Sequence, residues 1–157
     1  MFGRVIVFVR ATAGQANPGD LALLASASAF SSEVWAVLLG PEQAARHPAG
    51  LCDACLTAPG FAGRPDAADL AAALKEHLVP PTLLLARHDS LGMDIVPGLA
   101  VYLGLPFVSN ITSLAVQDGG TLKVTRPESN GQLIAEYEVR AGNGAVLTVM
   151  PGALAQR

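Results

Sequence analysis

The sequence predicts an α/β protein: a three-layer α/β/α sandwich (Rossmann-like) with a parallel sheet, followed by an antiparallel meander. Three observations carry that reading. Val5–Val9 and Leu83–Ala86 are short, unbroken apolar runs, the pattern of strands buried on both faces. Between such runs lie stretches with apolar residues at helical spacing, such as Leu70, Leu74 and Leu78. After Ser113 the rhythm changes to segments separated by Asp118-Gly119-Gly120, Asn130-Gly131 and Asn143-Gly144, which are hairpin-type turns. Strands that alternate with helices need right-handed crossovers and therefore pair in parallel.

Taken in order, Val5–Val9 is the first strand. Asp20 precedes Leu21, Leu24, Ala25 and Ser28, a helix with a small-residue face for close packing on a sheet. Val34–Leu39 is the second strand, with Trp35 assigned to the core. Pro41-Glu42-Gln43 opens a short helix that ends near His47-Pro48, and Cys52–Leu56 forms a short third strand. Pro59–Pro65 is a surface loop. Asp66 with Asp69 three residues on marks a helix N-terminus. Leu83–Ala86 is the fourth strand and Arg87–Met93 a polar loop. Asp94 caps a helix that runs to about Gly104, with Pro97 in its first turn, because a deeper proline would strike the carbonyl one turn back. Gly104 and Pro106 stop it, and Pro106–Ser109 is the fifth strand. The meander comprises Thr121–Arg126, Gln132–Arg140 and Ala145–Met150. In its middle segment Leu133, Ala135, Tyr137 and Val139 face one way, and Ile134, Glu136, Glu138 and Arg140 face water. Residues 1–157 thus form one domain, with a parallel core over 1–113 and the meander over 114–151.

Composition bounds the function. The 157 residues suit a single domain with a sizeable core. Apolar residues make up 51% and charged residues 15%, and mean hydropathy is +0.41. No apolar run approaches the ~20 residues needed to span a bilayer, so the surplus is assigned first to a buried sheet and second to a surface that takes a partner. A net charge of −3 without a basic run argues against nucleic acid. One arginine before a five-residue apolar run is too little for a secretion signal, which makes a cytoplasmic protein the expectation.

The best polar cluster is the loop after the fourth strand, with Arg87, His88, Asp89, Ser90, Gly92 and Asp94 as candidate ligand-binding residues. It joins the carboxyl end of a parallel strand to a helix N-terminus, where open sheets bind ligands and free N–H groups favour anions. Asn110 and Thr112, after the fifth strand, would face the same crevice, as would Arg10, Thr12 and Gln15. The competing reading is a solvated loop in which Ser90 and Asp94 cap the helix. His88 has no Ser or Cys nucleophile nearby in sequence and no second histidine at metal spacing, so no catalytic or metal residue is assigned. Cys52-Asp53-Ala54-Cys55 falls on a strand, where i and i+3 point to opposite faces about 10 Å apart, beyond disulfide reach. Neither a G-x-x-x-x-G-K-[ST] nor a G-x-G-x-x-G loop is present, so a tight triphosphate site is not supported.

Two stretches point to a known family. Gly92, Asp94, Pro97, Leu103, Gly104, Pro106, Val108 and Ser109 lie in an order that resembles the N-terminal domain of the electron transfer flavoprotein alpha subunit. Arg126-Pro127 with Gly131, and Val146 through Ala153, resemble the C-terminal part of the same domain. Where the family usually carries arginines, this chain has Met93 and Gly98. The resemblance covers nearly the whole chain. It implies a strand order of 3-2-1-4-5 and a role in electron transfer, with this domain packed on a beta subunit beneath a mobile FAD-carrying domain. This sequence stops at Arg157, so the expectation is a structural and interaction subunit whose FAD sits on another chain. Its partner would be a beta-like subunit, a separate flavin-domain protein, or a second copy in a homodimer. The related beta subunit binds AMP through the corresponding loop, which makes an AMP-binding homo-oligomer the alternative. An enzyme is the third and weakest class.

Overall fold

A computed structural model describes residues 2–61 and 66–154. In chain order the regular elements are β1 (Arg4–Thr12), β2 (Gln15–Ala16), α1 (Pro18–Ser26), β3 (Val34–Leu39), β4 (Ala54–Thr57), α2 (Ala67–Leu74), β5 (Thr82–Arg87), α3 (Ser90–Asp94), α4 (Val96–Leu103), β6 (Phe107–Ile111), β7 (Ser113–Val116), β8 (Thr121–Glu128), β9 (Leu133–Arg140) and β10 (Gly144–Val149). Short 3-10 turns link several of them.

The main sheet runs β4-β3-β1-β5-β10-β6 with every neighbour parallel, and β2 folds back on the end of β1. Strand alternation divides its side chains between two cores. Val5, Val7 and Val9 point to the layer made by α1 (Leu23, Leu24) and by the antiparallel sheet β7-β8-β9 (Leu114, Leu122, Val124, Val139). Ile6 and Phe8 point to the layer of α2 (Leu70, Leu74) and α4 (Val96, Leu99, Ala100). The three-layer α/β/α reading and the added antiparallel sheet therefore hold.

Local signals explain the helix boundaries. Asp66 caps α2 by accepting from the Asp69 N–H at 3.1 Å. Gly104 ends α4 in the left-handed region (φ +67°), the conformation glycine adopts without a steric penalty. The expected single helix from Asp94 is instead two. Asp89 caps α3 by accepting from the Gly92 N–H, and Asp94 is the exposed last residue of that helix. Pro97 explains the break: it has no N–H and would clash one turn back, so it stands in the first turn of a fresh helix. Asn17 caps α1, which therefore begins before Asp20. Trp35 is half-buried under the Arg4 guanidinium, which lies 3.7 Å from the ring centroid. Residues 62–65 of the Pro59–Pro65 loop lie outside the described residues.

The larger correction concerns the strand order. The five expected strands keep the sequence 3-2-1-4-5 across the sheet, but β10 enters between the last two. Val146 stands opposite both Leu84 on β5 and Phe107 on β6. Ala145–Met150 is thus not an antiparallel meander strand. All of β10 is buried, and an apolar segment without a wet face belongs in the middle of a sheet. Its place in the antiparallel sheet is taken by β7, which pairs with β8 from Ser113 to Val116. Asn143-Gly144 leads into the parallel sheet instead of closing a hairpin. Gly144 has φ +151°, and a Cβ there would come 2.2 Å from the Thr82 carbonyl oxygen. The third expected strand likewise starts later, at Ala54 rather than Cys52.

Because that approach is backbone to backbone, Gly144→Ala cannot be relieved by a side-chain rotation. The substitution is expected to destabilise the protein by about 3 kcal/mol, read as a lowered urea midpoint with an unchanged slope.

Candidate functional site

The chain moves one way across the sheet from β1 and the other way from β5, so the carboxyl ends of these neighbours form a topological switch point. Two arginines stand there and each reaches across. Arg10 of β1 hydrogen-bonds Ser90 Oγ at 3.3 Å and pairs with Asp89 Oδ2 at 3.6 Å, at the start of α3. Arg87 of β5 donates to Asn17 Oδ1 at 2.5 Å and lies 4.0 Å from Asp20 Oδ1, at the start of α1. Each central strand therefore holds the helix that follows the other. Gly19 makes room for this: a Cβ there would sit 2.2 Å from Arg87 Nη1. Asn17 Oδ1 also accepts from the Gly19 and Asp20 N–H groups at 2.9 and 3.2 Å, which are unpaired donors of the first turn.

Asp20 is only 2% exposed and accepts from the Arg10 N–H at 2.9 Å. Burial pushes its carboxyl up from 3.8 to about 6, a shift that the Arg10 N–H and the Arg87 charge oppose and nearby Asp89 reinforces. Further along the sheet edge, Thr148 of β10 is fully buried. Its Oγ1 accepts from the Asn110 N–H at 2.8 Å and lies 3.0 Å from His88 Nδ1. Asn110 adopts φ +56° where the β6–β10 register shifts. Beyond it, an open groove of about 490 Å³ is lined by Asn110, Met150 and the end of the β8–β9 hairpin. In that hairpin Arg126 binds Ser109 Oγ at 3.1 Å and pairs with Glu128 at 3.2 Å.

The candidate residues thus separate into groups. Arg87, Asp89 and Ser90 come together with Arg10, and His88 and Asn110 meet through Thr148. Gly92 serves packing, since a Cβ would approach the Arg87 carbonyl oxygen to 2.2 Å. Asp94 points to solvent at the end of α3. Thr112 is tied to Thr125 of β8, with its N–H 2.8 Å from the carbonyl oxygen. Thr12 and Gln15 pair in the exposed β1–β2 hairpin. Chemically, the crevice opposes two guanidinium groups with two carboxyl groups. An incoming phosphate would have to displace Asp89 or Asp20 from its arginine. Among the described residues no group of three or more His, Cys, Asp or Glu is placed to hold a metal ion.

A family model for the electron transfer flavoprotein domain matches residues 5–156. The chain belongs to the electron transfer flavoprotein domain family. No curated protein matches it.

In this electron transfer flavoprotein domain three contributors to the crevice were not among the sequence candidates. Asn17 carried a usable signal, since an Asn followed by Pro is a common helix start. Asp20 looked like an ordinary acidic residue of a first turn, and nothing local reveals its burial. Thr148 joined His88 only because β10 entered the main sheet.

The Asp20 carboxyl gives the domain a defined pH response. The folded chain holds this proton up to about pH 6, whereas an unfolded chain releases it near 3.8. The associated stability is complete below the lower value and is lost as pH rises through the higher one, by an amount of order 3 kcal/mol. Asp20→Asn lacks this loss. Its unfolding free energy relative to wild type should therefore rise between pH ~4 and pH ~7, measured by urea denaturation at matched ionic strength.

Proposed function

We propose that this domain is an alpha-subunit-type structural and interaction component of an electron-transfer assembly. A beta-like subunit or a separate flavin-domain protein is its partner, and FAD is held on another chain. Family membership supports the electron-transfer setting. The observation that carries the interaction role is the distribution of apolar surface. On and beside α4, Met93, Val101 and Tyr102 are 56%, 79% and 56% exposed. At the start of β9, Leu133 and Ile134 are 61% and 68% exposed. Large exposed apolar side chains grouped in this way are the usual material of a protein interface. The crevice, by contrast, spends its charges internally. An AMP-binding homo-oligomer would need Arg10 or Arg87 to trade a carboxylate for the phosphate, and the two Arg–carboxylate contacts therefore favour the interaction reading.

The test mixes the purified domain with a beta-like electron transfer flavoprotein subunit and follows complex mass by light scattering beside the flavin absorbance. The expected result is a stoichiometric complex. Val101→Asp and Ile134→Asp, both at exposed positions, should weaken it about tenfold or more while leaving the melting temperature within about 2 °C. Unchanged binding in both variants, or saturable AMP binding by the isolated domain that Arg10→Ala removes, would overturn the proposal in favour of the nucleotide module.

A further inference from the structure

The C-x-x-C sequence has a geometry different from the one its residues alone suggest. Both cysteines are free and half-buried. Only Cys55 lies on β4, while Cys52 occupies the bend before it. The bend places both side chains against the same core layer, the one on which α1 and the antiparallel sheet also pack. Cys55 stands opposite Ala36 on β3.

The bend is firmly held. Asp53 donates its N–H to the Val34 carbonyl at 2.7 Å and accepts the Val34 N–H at 2.8 Å. The Pro48 carbonyl accepts from the Leu51 N–H at 2.8 Å and from Cys52 Sγ at 3.2 Å. An extended chain would hold residues i and i+3 on opposite faces about 10 Å apart, and the bend at Cys52 and Asp53 removes that constraint by departing from extended backbone, so that both side chains share one face. Among the described residues β4 is the outer strand of the sheet and pairs with β3 alone, and both cysteines keep partial exposure through which a small reagent can approach.

We propose that Cys52 and Cys55 are a redox-responsive thiol pair that closes into an intrachain disulfide on exchange with a low-molecular-weight disulfide. One cysteine releases its proton to solvent and its thiolate attacks a sulfur of the reagent, expelling one reagent thiolate. The second cysteine, also deprotonated, attacks the protein sulfur of the mixed disulfide and expels the other. Two protein thiols are oxidised and one small disulfide is reduced to two thiols. Burial holds both thiols above their ordinary range, and Cys52 adds to the effect on Cys55. The attacking thiolate is scarce at neutral pH, so closure is slow there and speeds up about tenfold per pH unit until the thiols ionise.

The test incubates the full chain with oxidised glutathione, quenches with N-ethylmaleimide under denaturing conditions and records intact mass. The expected product has lost two hydrogens, takes no maleimide and carries no glutathione. Cys52→Ser and Cys55→Ser should each keep the wild-type melting temperature and accumulate a single glutathione adduct in place of that product. Reduction with dithiothreitol should restore two maleimide additions. A wild-type chain that accumulates stable glutathione adducts, or that keeps two reactive thiols across the pH range, would overturn the proposal.

Discussion

Strand β10 has hydrogen-bonding partners on both sides, and the rest of the sheet is arranged around that requirement. Buried backbone N–H and C=O groups must be paired, and β10 supplies those partners to β5 on one side and to β6 on the other. Val146, Leu147 and Val149 supply that strand and remain dry on both faces. Its arrival also sets the approach of Gly144 to Thr82 and brings Thr148 between His88 and Asn110. One insertion therefore joins the C-terminal third of the chain to the centre of the fold. The antiparallel sheet β7-β8-β9 is then the excursion made between β6 and β10, and it covers one face of the sheet that it leaves and re-enters.

At the switch point the electrostatics follow from the same close packing. Two helices begin beside two strand ends, and both helix N-termini favour negative charge. The protein answers with its own groups: Asn17 and Asp89 as caps, Asp20 in the first turn of α1, and Arg10 and Arg87 crossing between them. Such a network ties four elements together at the cost of burying a carboxyl group. That cost is visible in the raised proton affinity of Asp20. A crevice of this kind is better suited to fixing the geometry of a domain than to receiving a strongly anionic ligand, because its cations are already opposed.

Surface character completes the functional reading. Side chains on and beside α4 and at the start of β9 project apolar groups into solvent, on opposite layers of the domain. An internally paired polar crevice beside these exposed apolar side chains is what supports the association role proposed above. The cysteine pair lies apart from these surfaces, at the bend leading into the outer strand β4. A disulfide there would stiffen the sheet margin without touching the switch point.

Much of this was legible in the residues because it is local. Unbroken, largely β-branched or Leu-rich runs such as Val5–Val9 and Leu83–Ala86 have the pattern of central parallel strands, Asp66 and Gly104 mark helix ends by their own chemistry, and the Asn130-Gly131 turn joins β8 to β9 as its composition favours. Motif order likewise sufficed for the family. What the residues could not disclose depends on partners far away in the chain. Val146 through Val149 alternates no differently whether it extends a meander or fills a gap between two parallel strands, and only the competition for backbone hydrogen bonds decides. The buried state of Asp20, the crossing of Arg10 and Arg87, the diversion of Thr112 to Thr125, and the bend that brings Cys52 to the face of Cys55 are all consequences of tertiary packing. Local sequence determined the elements and their ends, while the pairing of distant strands determined which polar side chains would meet.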